Sequence, residues 1–157
     1  GFGAYGGSGA TLGLIIAIFL FSKAKVQKSI AKLSFAPGLF NINEMVIFGL
    51  PIVLNPIYMI PFIITPLVGE IFGYLLIAVF KIIPSIAFQV PWTTPGPLAP
   101  FLDTGGNILA LIMGFVSLGI SVLIYAPFVV AASKAEVKAE EDRRLNELNN
   151  SKDTVTV

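Results

Sequence analysis

The stretch that decides the fold runs from residue 40 to residue 51 and reads Phe40-Asn41-Ile42-Asn43-Glu44-Met45-Val46-Ile47-Phe48-Gly49-Leu50-Pro51. Between residues 33 and 69, Glu44 is the only charged residue in a sequence that is otherwise suited to a lipid bilayer. An ionised carboxylate is costly to bury in hydrocarbon, so it normally faces a cavity or a partner. Glu44 therefore indicates either a polar substrate site within a membrane transporter or a structural ion pair with a lysine of another helix. Asn41 and Asn43 favour the substrate site, because carboxamides and carboxylates hydrogen-bond sugar hydroxyls.

The composition indicates a membrane protein. The 157 residues are 55% hydrophobic and only 12% charged, and the mean hydropathy is +0.87. A typical soluble domain carries about 25% charged residues. The sequence has neither Cys nor His, which excludes a cysteine nucleophile, a histidine base and a zinc finger within this chain. The net charge of +1 provides no basic field for nucleic acid, and we predict no nucleic-acid partner, cofactor or metal.

The distribution of prolines, glycines and apolar runs predicts an all-α integral membrane protein with transmembrane helices, two re-entrant hairpins and a polar C-terminal tail. Spanning helices are expected near residues 9–22, 52–82 and 105–131, the second kinked by its prolines. The hairpins are expected near 35–51 and 84–103, since Pro and Gly on both sides argue against continuous helices there. Residues 1–133 then form a membrane domain, and residues 134–157 form the tail.

Four lysines in the segment 22–34 predict a solvated connector on the cytoplasmic side of the membrane. Re-entrant hairpins add no membrane crossing, and the helices near 52–82 and 105–131 add two, so the tail is also predicted to be cytoplasmic. The last six or seven residues of the tail are predicted to be disordered. The chain begins Gly-Phe-Gly without Met, so we interpret it as the interior of a longer polypeptide. Gly1 to Gly6 fits the pattern G-x-G-x-x-G, but the dinucleotide motif needs a βαβ unit, which does not fit this apolar membrane setting, so tight helix packing or an exposed backbone is the preferred interpretation.

A second candidate group lies among the prolines of the later hairpin: Trp92, Thr93 and Thr94. A tryptophan in a membrane protein is often an interfacial anchor. The alternative is an aromatic platform under a sugar ring, with the threonine hydroxyls beside it. Three charged residues near the ends of apolar stretches are interpreted as structural or interfacial: Glu70, Lys81 and Asp103.

Four ordered motifs carry a resemblance to a known family. They are Gly6-Gly-Ser-Gly-Ala-Thr-Leu-Gly13, Pro37-Gly-Leu-Phe-Asn-Ile-Asn-Glu44, Val46-Ile-Phe-Gly-Leu-Pro-Ile-Val-Leu-Asn-Pro56 and Val90-Pro-Trp-Thr-Thr-Pro95. Together they resemble the C-terminal part of the membrane (IIC) component of the lactose/cellobiose/chitobiose family of the bacterial phosphoenolpyruvate-dependent sugar phosphotransferase system. The resemblance covers nearly all of residues 6–130.

The resemblance implies a permease of the bacterial cytoplasmic membrane that translocates a disaccharide and couples this to its phosphorylation. Glu44 is then the catalytic carboxylate, near the sugar hydroxyl that accepts the phosphoryl group. The implied substrate-binding residues are Asn41, Asn43, Glu44, Trp92, Thr93 and Thr94. The implied partners are the disaccharide, the lipid bilayer, a phosphorylated IIB component and a second copy that dimerises through an N-terminal half.

The sequence departs from the family pattern at two positions. Met45 stands where Pro is usual after the motif glutamate, and Gly96 stands where a second Pro commonly follows Pro95. The family also places a histidine in the pocket, and this chain has none. Two alternatives therefore stay open: a non-transporting membrane scaffold or degenerate permease remnant, and an ion channel lined by Glu44.

Overall fold

A computed structural model describes the backbone of residues 5–155 and the side chains of residues 5–152. Within that range the chain is helical and contains no strand, which confirms the all-α prediction. The α-helices are α1 (Thr11–Phe21), α2 (Lys25–Leu39), α3 (Glu44–Gly49), α4 (Pro56–Tyr74), α5 (Ala99–Asp103) and α6 (Ile108–Val155). Short 3-10 turns occupy Ser8–Ala10, Ile52–Leu54 and Gly96–Leu98, and a π-helical turn occupies Leu75–Val79. Residues 1–4 of the glycine pattern lie outside the described residues.

Helix α1 lies at the centre of the fold, where Leu14, Ile15 and Ile18 are completely buried and the helix packs against α2 and α6. Its 11 residues span about 16 Å, roughly half the thickness of a bilayer's hydrocarbon core. Positive φ angles at Gly9 (77°) and Ala10 (51°) end regular α-helix on its N-terminal side. The helix lies within two residues of the predicted range 9–22, and its insertion into a bilayer stays a prediction.

The pair Gly9 and Gly13 brings α1 close to two different helices. A Cβ on Gly9 would lie 2.2 Å from the ring of Phe62 in α4, and a Cβ on Gly13 would lie 2.6 Å from Cβ of Ser121 in α6. The hydroxyl of Tyr125, also in α6, donates a hydrogen bond to the carbonyl oxygen of Gly9. The two glycines thus allow close packing, and each of them meets a different helix.

The predicted connector at residues 22–34 was wrong, because most of it is helix α2. The buried positions of α2 recur at helical spacing and carry small or polar side chains: Gln27, Ala31, Ser34 and Gly38. This face packs against α1, where a Cβ on Gly38 would lie 2.9 Å from Ile15. The helical period was hard to see in the sequence because hydrophobicity does not mark the buried face.

The first hairpin consists of α2, a turn at residues 40–43 and α3. The chain reverses in the turn, and α3 returns beside α2, so that a Cβ on Gly49 would lie 2.8 Å from Ile30. The hairpin thus begins about ten residues earlier than the predicted range 35–51, because Pro37 is accommodated inside the last turns of α2 instead of ending it. Its insertion into a bilayer stays a prediction.

Helix α4 begins at Pro56, and not near residue 52 as predicted. The side chain of Asn55 caps it by accepting a hydrogen bond from the backbone N–H of Ile57 over 3.0 Å. Proline is well tolerated at this first helical position, since the N–H it lacks has no helical acceptor. Residues Pro56–Val79 form one of two helices in the described chain that are long and apolar enough to cross a membrane.

The second hairpin has an irregular first limb and a helical second limb. Residues 80–95 contain no regular helix, and α5 forms the return. The backbone N–H groups of Ala87 and Phe88 donate to the carbonyl oxygen of Asp103 over 2.9 and 3.1 Å, which closes the base of the hairpin. The return limb packs on α6, where a Cβ on Gly114 would lie 3.0 Å from the carbonyl oxygen of Pro97.

Helix α6 is 48 residues long and continues across the predicted boundary at residue 133. Its residues Ile108–Lys152 form the second helix with the length and composition of a membrane span. Exposed polar side chains cover its last part, including the ion pair of Glu140 and Arg144 at 2.9 Å. Disorder was predicted from about residue 151, but helix α6 continues to Val155. No Gly or Pro follows Pro127 to end the helix.

Candidate functional site

The tips of the two hairpins meet at the side chain of Asn41. Its Nδ2 donates to the carbonyl oxygen of Trp92 and to that of Thr94, the latter over 2.9 Å. Its Oδ1 accepts a hydrogen bond from the backbone N–H of Gly6 over 2.9 Å. Asn41 has φ 64°, a left-handed conformation that asparagine adopts more readily than most residues. One amide group therefore joins three segments: the first hairpin, the second hairpin and the glycine-rich turn that precedes α1.

Asn43 strengthens the same junction from inside the protein. It is buried, and its Nδ2 donates to the carbonyl oxygen of Ser8 over 2.8 Å and to the Ser8 hydroxyl over 3.2 Å. Gly7 fits between the two asparagines at φ 90°, where a Cβ would lie 2.6 Å from the carbonyl oxygen of Asn41 and 2.9 Å from the side chain of Asn43. The backbone of the glycine-rich turn and the two carboxamides are thus packed into one unit.

A cavity of about 590 Å³ lies beside this junction. Its volume is within the range of roughly 300–1,000 Å³ that is usual for small-molecule sites. The wall combines aromatic and aliphatic surface with amide, hydroxyl and carboxylate groups. The lining residues with polar or aromatic side chains are Tyr5, Ser8, Asn41, Phe88, Gln89, Trp92, Thr94 and Asp103. Aromatic surface with dispersed hydrogen-bonding groups suits a ligand that has apolar faces and polar edges.

The structure brings three of the six predicted site residues to the cavity wall: Asn41, Trp92 and Thr94. Trp92 is 71% exposed, so most of its ring is available for contact with a ligand. The other three predicted residues, Asn43, Glu44 and Thr93, do not line the cavity.

Glu44 is exposed as the first residue of α3, directly after the anchored Asn43. Thr93 is also exposed, between the two residues whose carbonyl groups bind Asn41. The hydrogen bonds of Asn43 therefore fix the backbone from which the Glu44 carboxylate projects.

Several lining residues were not among the predicted site residues, including Tyr5, Gln89 and Asp103. Tyr5 is buried within a cluster that includes Leu12 and Ala110, which holds the start of the described chain against α6. Asp103, which was interpreted as structural or interfacial, is only 7% exposed. The sequence signal for Gln89 was its polarity within an apolar, proline-rich segment. No group of three or more metal-ligating side chains occurs among residues with described side chains.

Comparison with known proteins identifies relatives of this architecture. Residues 3–66 match the family model described as Phosphotransferase system, EIIC. The PTS system cellobiose-specific EIIC component of Lactococcus lactis subsp. lactis (strain IL1403) is 46% identical over 135 residues, which cover 86% of this chain and 27% of that protein. This chain is a relative of the phosphotransferase-system EIIC components. The resemblance of the four sequence motifs to this family is confirmed.

Other EIIC proteins and a solved EIIC structure agree with this assignment. The lichenan permease IIC component of Bacillus subtilis (strain 168) is 40% identical over 140 residues, which cover 89% of the chain and 31% of that protein. The crystal structure of the transporter ChbC, the IIC component from the N,N'-diacetylchitobiose-specific phosphotransferase system, matches with a TM-score of 0.83 and 40% identity. That match covers 89% of the chain and 33% of ChbC. The chain spans about a third or less of the length of these EIIC relatives.

Proposed function

We propose that this chain provides the sugar-binding hairpins of a phosphotransferase-system permease that binds and translocates a disaccharide of the cellobiose, lactose or chitobiose type. The observation that carries the proposal is the junction at Asn41, where two hairpin tips and the glycine-rich turn enclose one side of a cavity. Interrupted helices that converge on a polar cavity are a recurring feature of transporters. The EIIC relatives support the same class of function.

Trp92 is the proposed platform for a sugar ring. Its exposed ring lies on the cavity wall, and apolar ring faces of a sugar can pack on an aromatic surface while the hydroxyls remain at the edge. Thr94 and Gln89 supply hydrogen-bonding groups on the same wall. Asn41 and Asn43 are proposed to act mainly by positioning, because their amide groups already bind the protein backbone and Ser8.

Glu44 is the proposed catalytic base for phosphoryl transfer. The sugar hydroxyl oxygen forms a bond to phosphorus as the bond between phosphorus and its carrier atom on the IIB component breaks, and the electron pair of that bond leaves with the carrier atom. The hydroxyl proton passes to the Glu44 carboxylate. Glu44 is exposed at the start of α3 and does not line the cavity, so this role requires the reacting end of the bound sugar to extend from the cavity to the Glu44 carboxylate.

We further propose a multi-pass arrangement in the bacterial cytoplasmic membrane. Residues Pro56–Val79 and the apolar part of α6 cross the bilayer, both hairpins are re-entrant, and the polar end of α6 is cytoplasmic. The length and composition of the two helices support the crossings. The phosphorylated IIB component is the proposed partner on the cytoplasmic side, and a second copy is the proposed partner in a homodimer.

The proposal is tested by sugar-dependent phosphoryl transfer in membranes that contain the complete gene product. The membranes are incubated with phosphorylated IIB component and labelled cellobiose, lactose or chitobiose, and the sugar phosphate is measured. We expect one or more of the sugars to be phosphorylated only when the protein is present. Inserted, folded protein that phosphorylates none of them would refute the proposal. Ion conductance without sugar would support the channel, and neither the relatives nor the described structure favours that alternative.

A further inference from the structure

Asp103 places a carboxylate in the wall of the cavity. It is 7% exposed, and it is the only charged side chain among the described residues that line the cavity. The backbone holds it there, because its carbonyl oxygen accepts hydrogen bonds from Ala87 and Phe88 across the base of the second hairpin. This position differs from that of Glu44, which is exposed on α3 and does not line the cavity.

The other polar groups of the described wall are uncharged, so Asp103 sets the sign of the local charge when it is ionised. The uncharged groups include the amides of Asn41 and Gln89 and the hydroxyl of Thr94.

We infer that Asp103 makes the cavity selective for neutral sugars over anionic ones and thereby disfavours retention of the phosphorylated product. The inference rests on the proposed function and assigns a specificity role at the same site. Neutral hydroxyls can donate hydrogen bonds to a carboxylate. A phosphate monoester carries a charge of about −1.5 to −2 at pH 7, and its repulsion from a carboxylate is stronger in a partly buried site than in water. Phosphorylation thus converts a neutral sugar into an anion that the Asp103 carboxylate repels.

The test compares a neutral sugar with its phosphate ester on the purified complete gene product. Dissociation constants are measured for cellobiose and for cellobiose phosphorylated at a 6-hydroxyl, using wild type and Asp103→Asn. We expect the dissociation constant of the phosphate ester, relative to that of cellobiose, to fall about tenfold in Asp103→Asn, which corresponds to about 1.4 kcal/mol. Asp142→Asn makes the same chemical change on an exposed part of α6 and is expected to alter neither affinity.

The possible outcomes separate this inference from the proposed function. An unchanged ratio of the two affinities in Asp103→Asn would overturn the selectivity role and leave Asp103 as a support of the hairpin. Wild-type protein that binds neither cellobiose, lactose nor chitobiose would overturn the proposed function itself. If Asp103→Asn does not fold, Asp103→Ser provides the same loss of charge, and Asp103→Glu is expected to keep the wild-type preference for the neutral sugar.

Discussion

The side-chain amide of Asn41 donates a hydrogen bond to the carbonyl oxygen of Thr94 over 2.9 Å and so ties the tip of one hairpin to the tip of the other. The two residues are 53 positions apart in the sequence. The same amide also accepts a hydrogen bond from Gly6, which adds the turn before α1 to the junction. The cavity wall therefore depends on a single side chain that is shared by three segments.

Asn41→Ala is expected to destabilise the protein by about 2–4 kcal/mol. The substitution removes three side-chain hydrogen bonds of about 1 kcal/mol each. It also places alanine at φ 64°, a left-handed conformation that alanine adopts less readily than asparagine. Asn41→Gly loses the same bonds but adopts this φ easily, so it should be about 1 kcal/mol more stable than the alanine variant. Unfolding of the solubilised protein measures both values. Equal stability of Asn41→Ala and wild type would show that the junction contributes nothing.

Gly7→Ala is expected to disrupt the same junction from the other side. The new Cβ would lie 2.6 Å from the carbonyl oxygen of Asn41 at a φ of 90°, so backbone must move. We expect a loss of about 2–3 kcal/mol in stability together with weaker sugar binding.

Gly119→Ala is the matched control for Gly7→Ala. Gly119 lies inside α6, and a Cβ there meets nothing within 4 Å. Because alanine is the better helix former, this variant should be as stable as wild type or up to about 1 kcal/mol more stable. Thermal unfolding of both variants provides the comparison, and a Gly7→Ala protein that behaves like Gly119→Ala would contradict the tight packing seen at the turn.

Trp92→Ala is expected to weaken disaccharide binding about tenfold or more with little change in stability. The ring is 71% exposed, so its removal costs little packing, whereas a bound sugar would lose its aromatic platform. Trp92→Phe should recover part of the affinity. Binding titrations on the complete gene product test this. If Trp92→Ala keeps full affinity but inserts poorly into membranes, the interfacial anchor is the correct interpretation.

Glu44→Gln is expected to reduce sugar phosphorylation by about 10²–10⁴-fold while sugar binding and membrane insertion are retained. The amide preserves the shape of the side chain but cannot take the hydroxyl proton. Glu140→Gln is the control, because Glu140 only forms an exposed ion pair with Arg144. Initial rates of sugar phosphate formation measure the effect, and a normal rate in Glu44→Gln would remove this residue from the chemistry.

Three of the six predicted site residues lie at one cavity wall, and the sequence pointed to them because polar residues there interrupt apolar surroundings. Asn41, Trp92 and Thr94 were recognised as candidates, and the structure brings all three to one cavity wall. The sequence did not predict that the Asn41 amide binds backbone groups of the other hairpin, since such contacts depend on how distant segments pack. Asp103 was interpreted as structural or interfacial, and its position at the end of an apolar run did not indicate that the base of the hairpin would bury it beside a cavity.

The prediction of the fold was weaker where the buried residues are not hydrophobic. Helix α2 was taken for a connector because its buried face carries Gln27, Ala31 and Ser34, and its lysines dominate the pattern. The length of α6 was underestimated because the change from apolar to charged residues near 134 was taken as the end of a structural element. Charged residues with high helix propensity instead continue the same helix into its polar part.

The most direct test of the central claim is a structure of the complete gene product with a bound disaccharide. Cellobiose, lactose and chitobiose are the ligands to examine. The account predicts sugar density inside the cavity of about 590 Å³, with one ring against Trp92 and hydroxyls toward Gln89, Thr94 and Asp103. Sugar density elsewhere, with this cavity empty, would contradict the claim that the two hairpin tips form the substrate site.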